Sequence, residues 1–198
     1  MTDWRRVDYD DHQYRVYSRA RPLLPENAER WGAIFRRHLP AGATIVDVGS
    51  GTGTYTALLA DTLGAEVTGV EPSQGMRSVA EAEQPRPGVR YVAGRAEDLP
   101  LGDASCDGAL LSNVIHHIPD LPAAAAELHR VLVPGGALLV RGALRDSLER
   151  MPMFEYFPEA LEIAIATAPS DADAIGALAE AGFEGVARER VEQPTAYS

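Results

Sequence analysis

The sequence holds a single cysteine, Cys106, in 198 residues. One thiol excludes an internal disulfide and any zinc centre built from several cysteines, and its apolar neighbourhood predicts an inert core position. Long apolar runs are absent as well: no stretch approaches the roughly 20 residues that a membrane-spanning helix needs. The first nine residues carry Trp4, Arg5, Arg6 and Asp8 instead of a basic segment followed by an apolar one, so no secretory leader is expected. A soluble, cytoplasmic protein without a membrane partner is the resulting expectation. Basic residues are the third shortage. Lys and Arg number 18 against 29 Asp and Glu, a formal net charge of −11, and such a field repels phosphate backbones. Nucleic acid is therefore not expected as a partner. Six arginines gather between Arg15 and Arg37, but glutamates and aromatics interleave them, the pattern of a solvated helix face.

What is present is a chain with 45% hydrophobic residues, enough for the core of one mid-sized domain over 1–198. Its pattern alternates. Thr44-Ile45-Val46-Asp47-Val48 is a short β-branched run ended by glycines, after which Tyr55, Leu58, Leu59, Thr62 and Leu63 recur at helical spacing. A second strand is predicted over 66–70, a helix over 74–82, and a third strand over 89–93 behind the breaker Pro85-Arg86-Pro87-Gly88. A fourth strand over 107–112, a helix marked by Leu121, Ala125, Leu128 and Leu132, the stop Pro134-Gly135-Gly136 and a fifth strand over 137–143 continue the series. Continuous apolar strands alternating with helices predict a doubly wound α/β fold with a mostly parallel sheet. Trp31, Ile34, Phe35 and Leu39 face inward from a helix over 26–39 that precedes the first strand. Helices over 155–167 and 171–181 and a strand from Phe183 to about Val191 follow the fifth strand. Three parts are thus expected: an N-terminal helical lid over 1–40, a cofactor-binding core over 41–143, and a substrate-side insertion with a C-terminal helix and strand over 144–198.

Open parallel sheets bind ligands at the carboxyl ends of their strands, where the strand order reverses, and the loop after the first strand is the usual place. Gly49-Ser50-Gly51-Thr52-Gly53 falls there. Glycines let the backbone turn and approach a ligand closely, and amides at the following helix N-terminus suit a carboxylate and a phosphate equally well. Glu71 ends the second strand about 20 residues further on, where a carboxylate accepts both hydroxyls of an adenosine ribose. The dinucleotide fingerprint requires G-x-G-x-x-G, and Thr54 stands where its third glycine would be. A nicotinamide or flavin dinucleotide is therefore the second choice, and a nicotinamide-dependent dehydrogenase the less favoured enzyme.

Taken in order, these motifs resemble those of the class I S-adenosylmethionine-dependent methyltransferases, in the small-molecule branch related to ubiquinone biosynthesis, over about 9–191. The resemblance implies a Rossmann-like methyltransferase fold, S-adenosylmethionine as cofactor and S-adenosylhomocysteine as product. Asp47 corresponds to the acid of the family's first motif, with Gly49, Ser50 and Gly51 lining the methionine portion. Glu71-Pro72-Ser73 with Met76 resembles the second motif, which places Glu71 on the ribose and Met76 on the adenine. Gly94-Arg95-Ala96-Glu97-Asp98-Leu99-Pro100 resembles the third, in which Ala96 and Glu97 would read the adenine edge. Arg95 stands where relatives often carry an aspartate; arginine cannot accept a hydrogen bond, so it is expected in solvent or paired with a neighbouring acid. Ser112-Asn113-Val114-Ile115-His116-His117 resembles the segment after the fourth strand and brings Asn113 to the cofactor. Tyr17-Ser18-Arg19-Ala20-Arg21-Pro22 resembles a lid stretch in which Tyr17 and Arg21 approach the cofactor's carboxylate, a group that an arginine fork suits.

Methyl transfer from a sulfonium is an in-line displacement that mainly requires alignment and exclusion of water. His117, with His116 as second choice, stands where a base could take a proton from an alcohol, a phenol or a carbon acid. A metal held by His116, His117 and Asp120 is not expected, because adjacent histidines in strand-like backbone point apart. The expected function is methyl transfer to O, N or C of a small metabolite. Relatives that methylate amino groups on nucleic acids and protein amides carry an Asn-Pro-Pro-aromatic tetrapeptide that 113–116 lacks. A non-catalytic or non-methylating S-adenosylmethionine-binding protein is the alternative. Met151, Met153, Phe154, Tyr156 and Phe157 either line an apolar acceptor pocket or pack as one face of a helix. The resemblance implies seven strands where six can be counted, so the last strand is expected to be missing. A homodimer is expected if a partner fills that slot, since an unfilled one exposes unpaired backbone.

Overall fold

Five runs of aliphatic and β-branched residues become five parallel strands in the computed structural model, which describes residues 22–149, 151 and 153–192. They are β1 (Thr44–Val48), β2 (Glu66–Val70), β3 (Val89–Val92), β4 (Cys106–Ser112) and β5 (Leu132–Arg141), ordered β3-β2-β1-β4-β5. The chain steps outward from β1 to β3 and then returns to lay β4 against the other side of β1. That reversal opens a crevice at the carboxyl ends of β1 and β4. The doubly wound parallel sheet expected from the alternation is therefore the fold observed.

Side chains alternate across each strand, and the two faces build separate cores. Ile45, Val67 and Leu110 point to one face, where α1 (Pro25–His38) and α2 (Thr54–Leu63) cover them with Trp31, Phe35, Leu39, Leu59 and Leu63. Val46, Val48, Val70, Ala109 and Leu111 point to the other, where α4 (Leu121–Val131) contributes Ala124, Leu128 and Val131. Asp47 lies between two residues of the second face and so shares the α2 side with Ile45. Caps set the helix starts. The Ser73 hydroxyl accepts the Met76 N–H at 3.1 Å to open α3 (Gln74–Glu83), and Asp120 accepts the Ala123 N–H at 3.0 Å to open α4. Cys106 is buried as expected, and burial pushes its thiol pKa up. Among the described residues no helix is long and apolar enough to cross a membrane.

Three expectations are corrected beyond the core. The helix expected over 155–167 is two helices, α6 (Met153–Tyr156) and α7 (Pro158–Thr167), because Pro158 lacks an N–H to continue the first and opens the second. β5 begins at Leu132, not 137; a register shift between Cys106 and Gly108, with Gly135 at φ +81°, absorbs the Pro134-Gly135-Gly136 turn inside the strand. No strand forms over 183–192. Side chains anchor that segment instead of ladder hydrogen bonds: Arg37 pairs with Glu189 at 2.8 Å, Arg188 pairs with Asp171, and Arg30 donates to the Glu192 carbonyl. Between β5 and that segment, α5 (Arg145–Leu148) and α8 (Asp171–Glu180) flank α6 and α7. Phe154 joins Leu148 and Ala168 in a small core of its own, whereas Tyr156 and Phe157 face solvent. They do not line a common pocket.

Phe35 is fully buried where α1 meets the sheet. Phe35→Ala is expected to lower the unfolding free energy by about 3–5 kcal/mol, read as a lower urea midpoint.

Candidate functional site

The glycine loop leaves β1 at the crevice and is pinned from behind. The Gly49 and Ser50 N–H groups both donate to the Val70 carbonyl, at 2.8 and 3.2 Å, and Gly53 N–H donates to the Ser50 carbonyl at 3.0 Å. Gly49 has φ +70°, and a Cβ there would come within 2.3 Å of Val114 Cγ2, so the segment after β4 seats directly on the loop. Gly51, at φ +55°, is different: a Cβ there would meet nothing within 4 Å. The loop is thus closed at Gly49 and open at Gly51.

Glu71 joins this loop to the end of β2. Its buried carboxylate accepts the Gly51 N–H on Oε2 at 3.0 Å and the Ser73 N–H on Oε1 at 2.9 Å. A carboxylate oxygen has two acceptor directions, so each can accept more than one hydrogen bond. Arg77 steadies the same turn from α3 by donating to the carbonyls of Glu71 and Pro72 at 2.5 and 2.9 Å. Met76 is buried in the first turn of α3, and Pro72 is exposed.

Asp47 lies deeper, 1% exposed, beneath the loop. The Thr56 hydroxyl donates to its Oδ2 at 2.6 Å, and its Oδ1 has no hydrogen-bond partner among the described residues. Burial raises the Asp47 pKa to about 7; the Thr56 hydrogen bond opposes the shift, and the nearby Glu71 charge adds to it.

The two residues expected to read an adenine edge, Ala96 and Glu97, sit on one turn after β3. Ala96 is buried, Glu97 is half-buried, and Arg95 pairs with Glu97 at 4.0 Å, in keeping with the expectation that it would meet a neighbouring acid. The turn is held by two residues that sequence reasoning missed. Glu127 accepts the Leu99 N–H at 2.8 Å, and Arg130 donates to the carbonyls of Leu99 and Leu101 at 3.1 and 2.9 Å. The Arg130 guanidinium also pairs with Glu127 at 2.7 Å and holds the Glu127 carboxyl below its usual pKa. Glu127 and Arg130 stand three apart on α4, a pairing visible in the sequence, but their grip on the distant turn is not.

After β4 the chain turns at Asn113, an exposed residue at φ +55° whose N–H donates to the Arg141 carbonyl at 2.7 Å. A 3-10 turn (Ile115–His117) follows, with Ile115 buried and the His116 and His117 ring centroids 4.0 Å apart. The expectation that these histidines point apart is therefore wrong, because the backbone is a tight turn and not a strand. Arg141, also missed, donates to the Ser112 hydroxyl at 3.0 Å and lies over the rings of Trp31 and Tyr55, at 5.0 and 4.4 Å. Tyr17 and Arg21 lie outside the described residues.

The fold and this arrangement define a Rossmann-like domain of the class I methyltransferase type. Residues 46–140 match the family model of the methyltransferase domain, and the chain is similar to that family in fold and in the order of its motifs. It is 34% identical over 174 residues to the O-methyltransferase cnsE of Penicillium expansum, covering 82% of this chain and 62% of that protein. Over 99 residues it is 42% identical to the ubiquinone/menaquinone biosynthesis C-methyltransferase UbiE of Rubrivivax gelatinosus, covering 50% of this chain and 39% of that one. Among solved structures, a candidate methyltransferase from an antibiotic biosynthesis pathway of Anabaena variabilis superposes with a TM-score of 0.67 at 34% identity, covering 77% of this chain and 60% of that one. The chain thus spans less than two thirds of the length of these relatives. The family implies use of S-adenosylmethionine. The residues present fit that group: a loop open at Gly51, and a buried carboxylate hydrogen-bonded to that glycine.

Because the folded-state pKa of Asp47 is raised, the folded protein binds more protons than the unfolded chain between about pH 4 and pH 7. Stability is therefore expected to fall across that window and to level off above it. Asp47→Asn should flatten the fall and leave the variant more stable than the parent at pH 8, measured by urea unfolding at a series of pH values.

Proposed function

We propose that the chain binds S-adenosylmethionine across Gly49, Ser50 and Gly51, with Glu71 on the ribose and Met76, Ala96 and Glu97 around the adenine, and transfers its methyl group to O, N or C of a small metabolite. The observation that carries this reading is the Glu71 carboxylate hydrogen-bonded to Gly51 on the loop's open side. Bound there, the sulfonium supplies an activated methyl group. The chain's own residues supply alignment, exclusion of water and the electrostatics around the cation. Asp47, Gly49 and Asn113 line the methionine side in this reading, with Pro72 shaping the turn that carries Glu71. His117, or His116 beside it, accepts the proton when the acceptor is a hydroxyl or a carbon acid, because both follow the turn whose Val114 touches the loop. The names of the O- and C-methylating relatives support small-molecule acceptors of both kinds. A homodimer belongs to the proposal, since β5 ends the sheet with Val140 40% exposed; light scattering tests it.

Glu71→Gln removes a charged acceptor and is expected to weaken S-adenosylhomocysteine binding about tenfold or more, measured by calorimetry. Incubation with methyl-labelled S-adenosylmethionine and a metabolite pool should yield a labelled small molecule; the cofactor bound without any labelled product would favour the non-methylating reading. His117→Ala should lower kcat with little change in cofactor affinity.

A further inference from the structure

Three residues form a lateral row across the sheet under the loop. Asp47 of β1 stands opposite Gly69 of β2, and Gly69 stands opposite Tyr91 of β3. All three lie on the α2 face, as Ile45, Val67 and Val89 two residues before them do. The middle member has no side chain, and the space that one would fill is taken from the flank: a Cβ on Gly69 would stand 2.6 Å from Tyr91 Cδ1 and 2.8 Å from Ser50 Oγ. Tyr91 therefore lies over β2 and reaches the loop from behind, where a Cβ on Gly53 would stand 2.3 Å from its hydroxyl oxygen. Its hydroxyl is buried beside Thr56, and the Ser50 hydroxyl is buried with no hydrogen-bond partner among the described residues. A buried hydroxyl placed so costs stability, which makes its position at the loop informative.

We infer that Tyr91 is a positioning residue of the cofactor site: its ring, lying across Gly69, sets Gly53 and Ser50 from below, and its hydroxyl couples to the Thr56–Asp47 hydrogen bond. The coupling is local. Titratable groups facing Asp47 are Glu71 from the end of β2, Tyr55 from α2 and Tyr91 from β3, while β4 presents Leu110 opposite it. Burial pushes the Tyr91 pKa up to about 12, with Thr56 opposing and Asp47, Arg86 and Glu81 as further neighbours, so the phenol stays neutral in any ordinary assay. A hydroxyl that donates toward an ionised carboxylate, here by way of the Thr56 hydroxyl, favours the ionised form, and ionised Asp47 attracts the ammonium at the amino-acid end of the cofactor. This role rests on the S-adenosylmethionine reading above. Loading should therefore tighten as pH rises through the Asp47 midpoint, with Tyr91 setting where that midpoint lies.

The test follows the Asp47 carboxyl directly, by carbon NMR of protein labelled at aspartate, the resonance being identified by its loss in Asp47→Asn. Tyr91→Phe, which keeps the ring, should move the midpoint upward by roughly 0.3–1 pH unit. S-adenosylhomocysteine affinity should fall several-fold near pH 7 and recover at pH 9. Gly69→Ala, which keeps the phenol but displaces it, should move the midpoint the same way. A folded Tyr91→Phe with an unmoved midpoint, or an affinity loss equal at every pH, overturns the inference. A midpoint that moves in a protein binding neither S-adenosylmethionine nor S-adenosylhomocysteine upholds the Tyr91–Asp47 coupling and rejects the cofactor reading instead.

Discussion

Glu71 accepts one N–H from each of two loops: Gly51 after β1 and Ser73 after β2. A carboxylate removed from water needs such donors, because each unmet lone pair would carry a desolvation penalty. The charge is thus held in place by backbone that it in turn orders, and both loops at the carboxyl ends of adjacent strands take their positions from it. The Ser73 N–H that it captures belongs to the residue capping α3, so the acid also fixes where the second crossover helix begins. Besides this bond the glycine loop has its bonds to the Val70 carbonyl, its internal turn and the Ala57 N–H on the Gly53 carbonyl.

A second carboxylate, Asp47, lies one layer lower with a single hydroxyl donor. The contrast between the two is one of environment. Two amides hold Glu71, whereas Asp47 has one hydroxyl, near-complete burial and a like charge nearby, and its pKa rises accordingly. The glycine at position 69 connects this chemistry to packing, since only a residue without a side chain lets Tyr91 cross β2 toward Thr56 and the loop.

Much of this was legible beforehand. The five strands, the loop over 49–53 and Glu71 at the end of β2 follow from local patterns, namely β-branched runs, glycine spacing and the distance along the chain between loop and acid, whereas the Ala96–Glu97 turn came from the resemblance to the family's third motif. The supports were not. Arg130 and Glu127 secure a turn about thirty residues upstream, and Arg141 reaches rings on α1 and α2; such pairings depend on strand order, which no local window contains. The strand expected over 183–191 failed for a related reason. Alternation describes what a segment could pair as, and pairing needs an edge in reach, whereas here ion pairs to α1 and α8 hold the segment in another course. His116 and His117 were misjudged because a 3-10 turn had been taken for extended backbone.

The sequence by itself determined the fold class and the place of the glycine loop, because hydrophobic period and glycine conformational freedom are properties of neighbours along the chain. Only the tertiary structure decided which side of that loop is open, which acid is solvent-starved, and which side chain sits beneath it. Those depend on register: Asp47, Gly69 and Tyr91 are separated by 22 residues at each step but stand opposite one another across three strands. Burial and distance, and hence every shifted pKa and every close approach at the site, arise from that alignment.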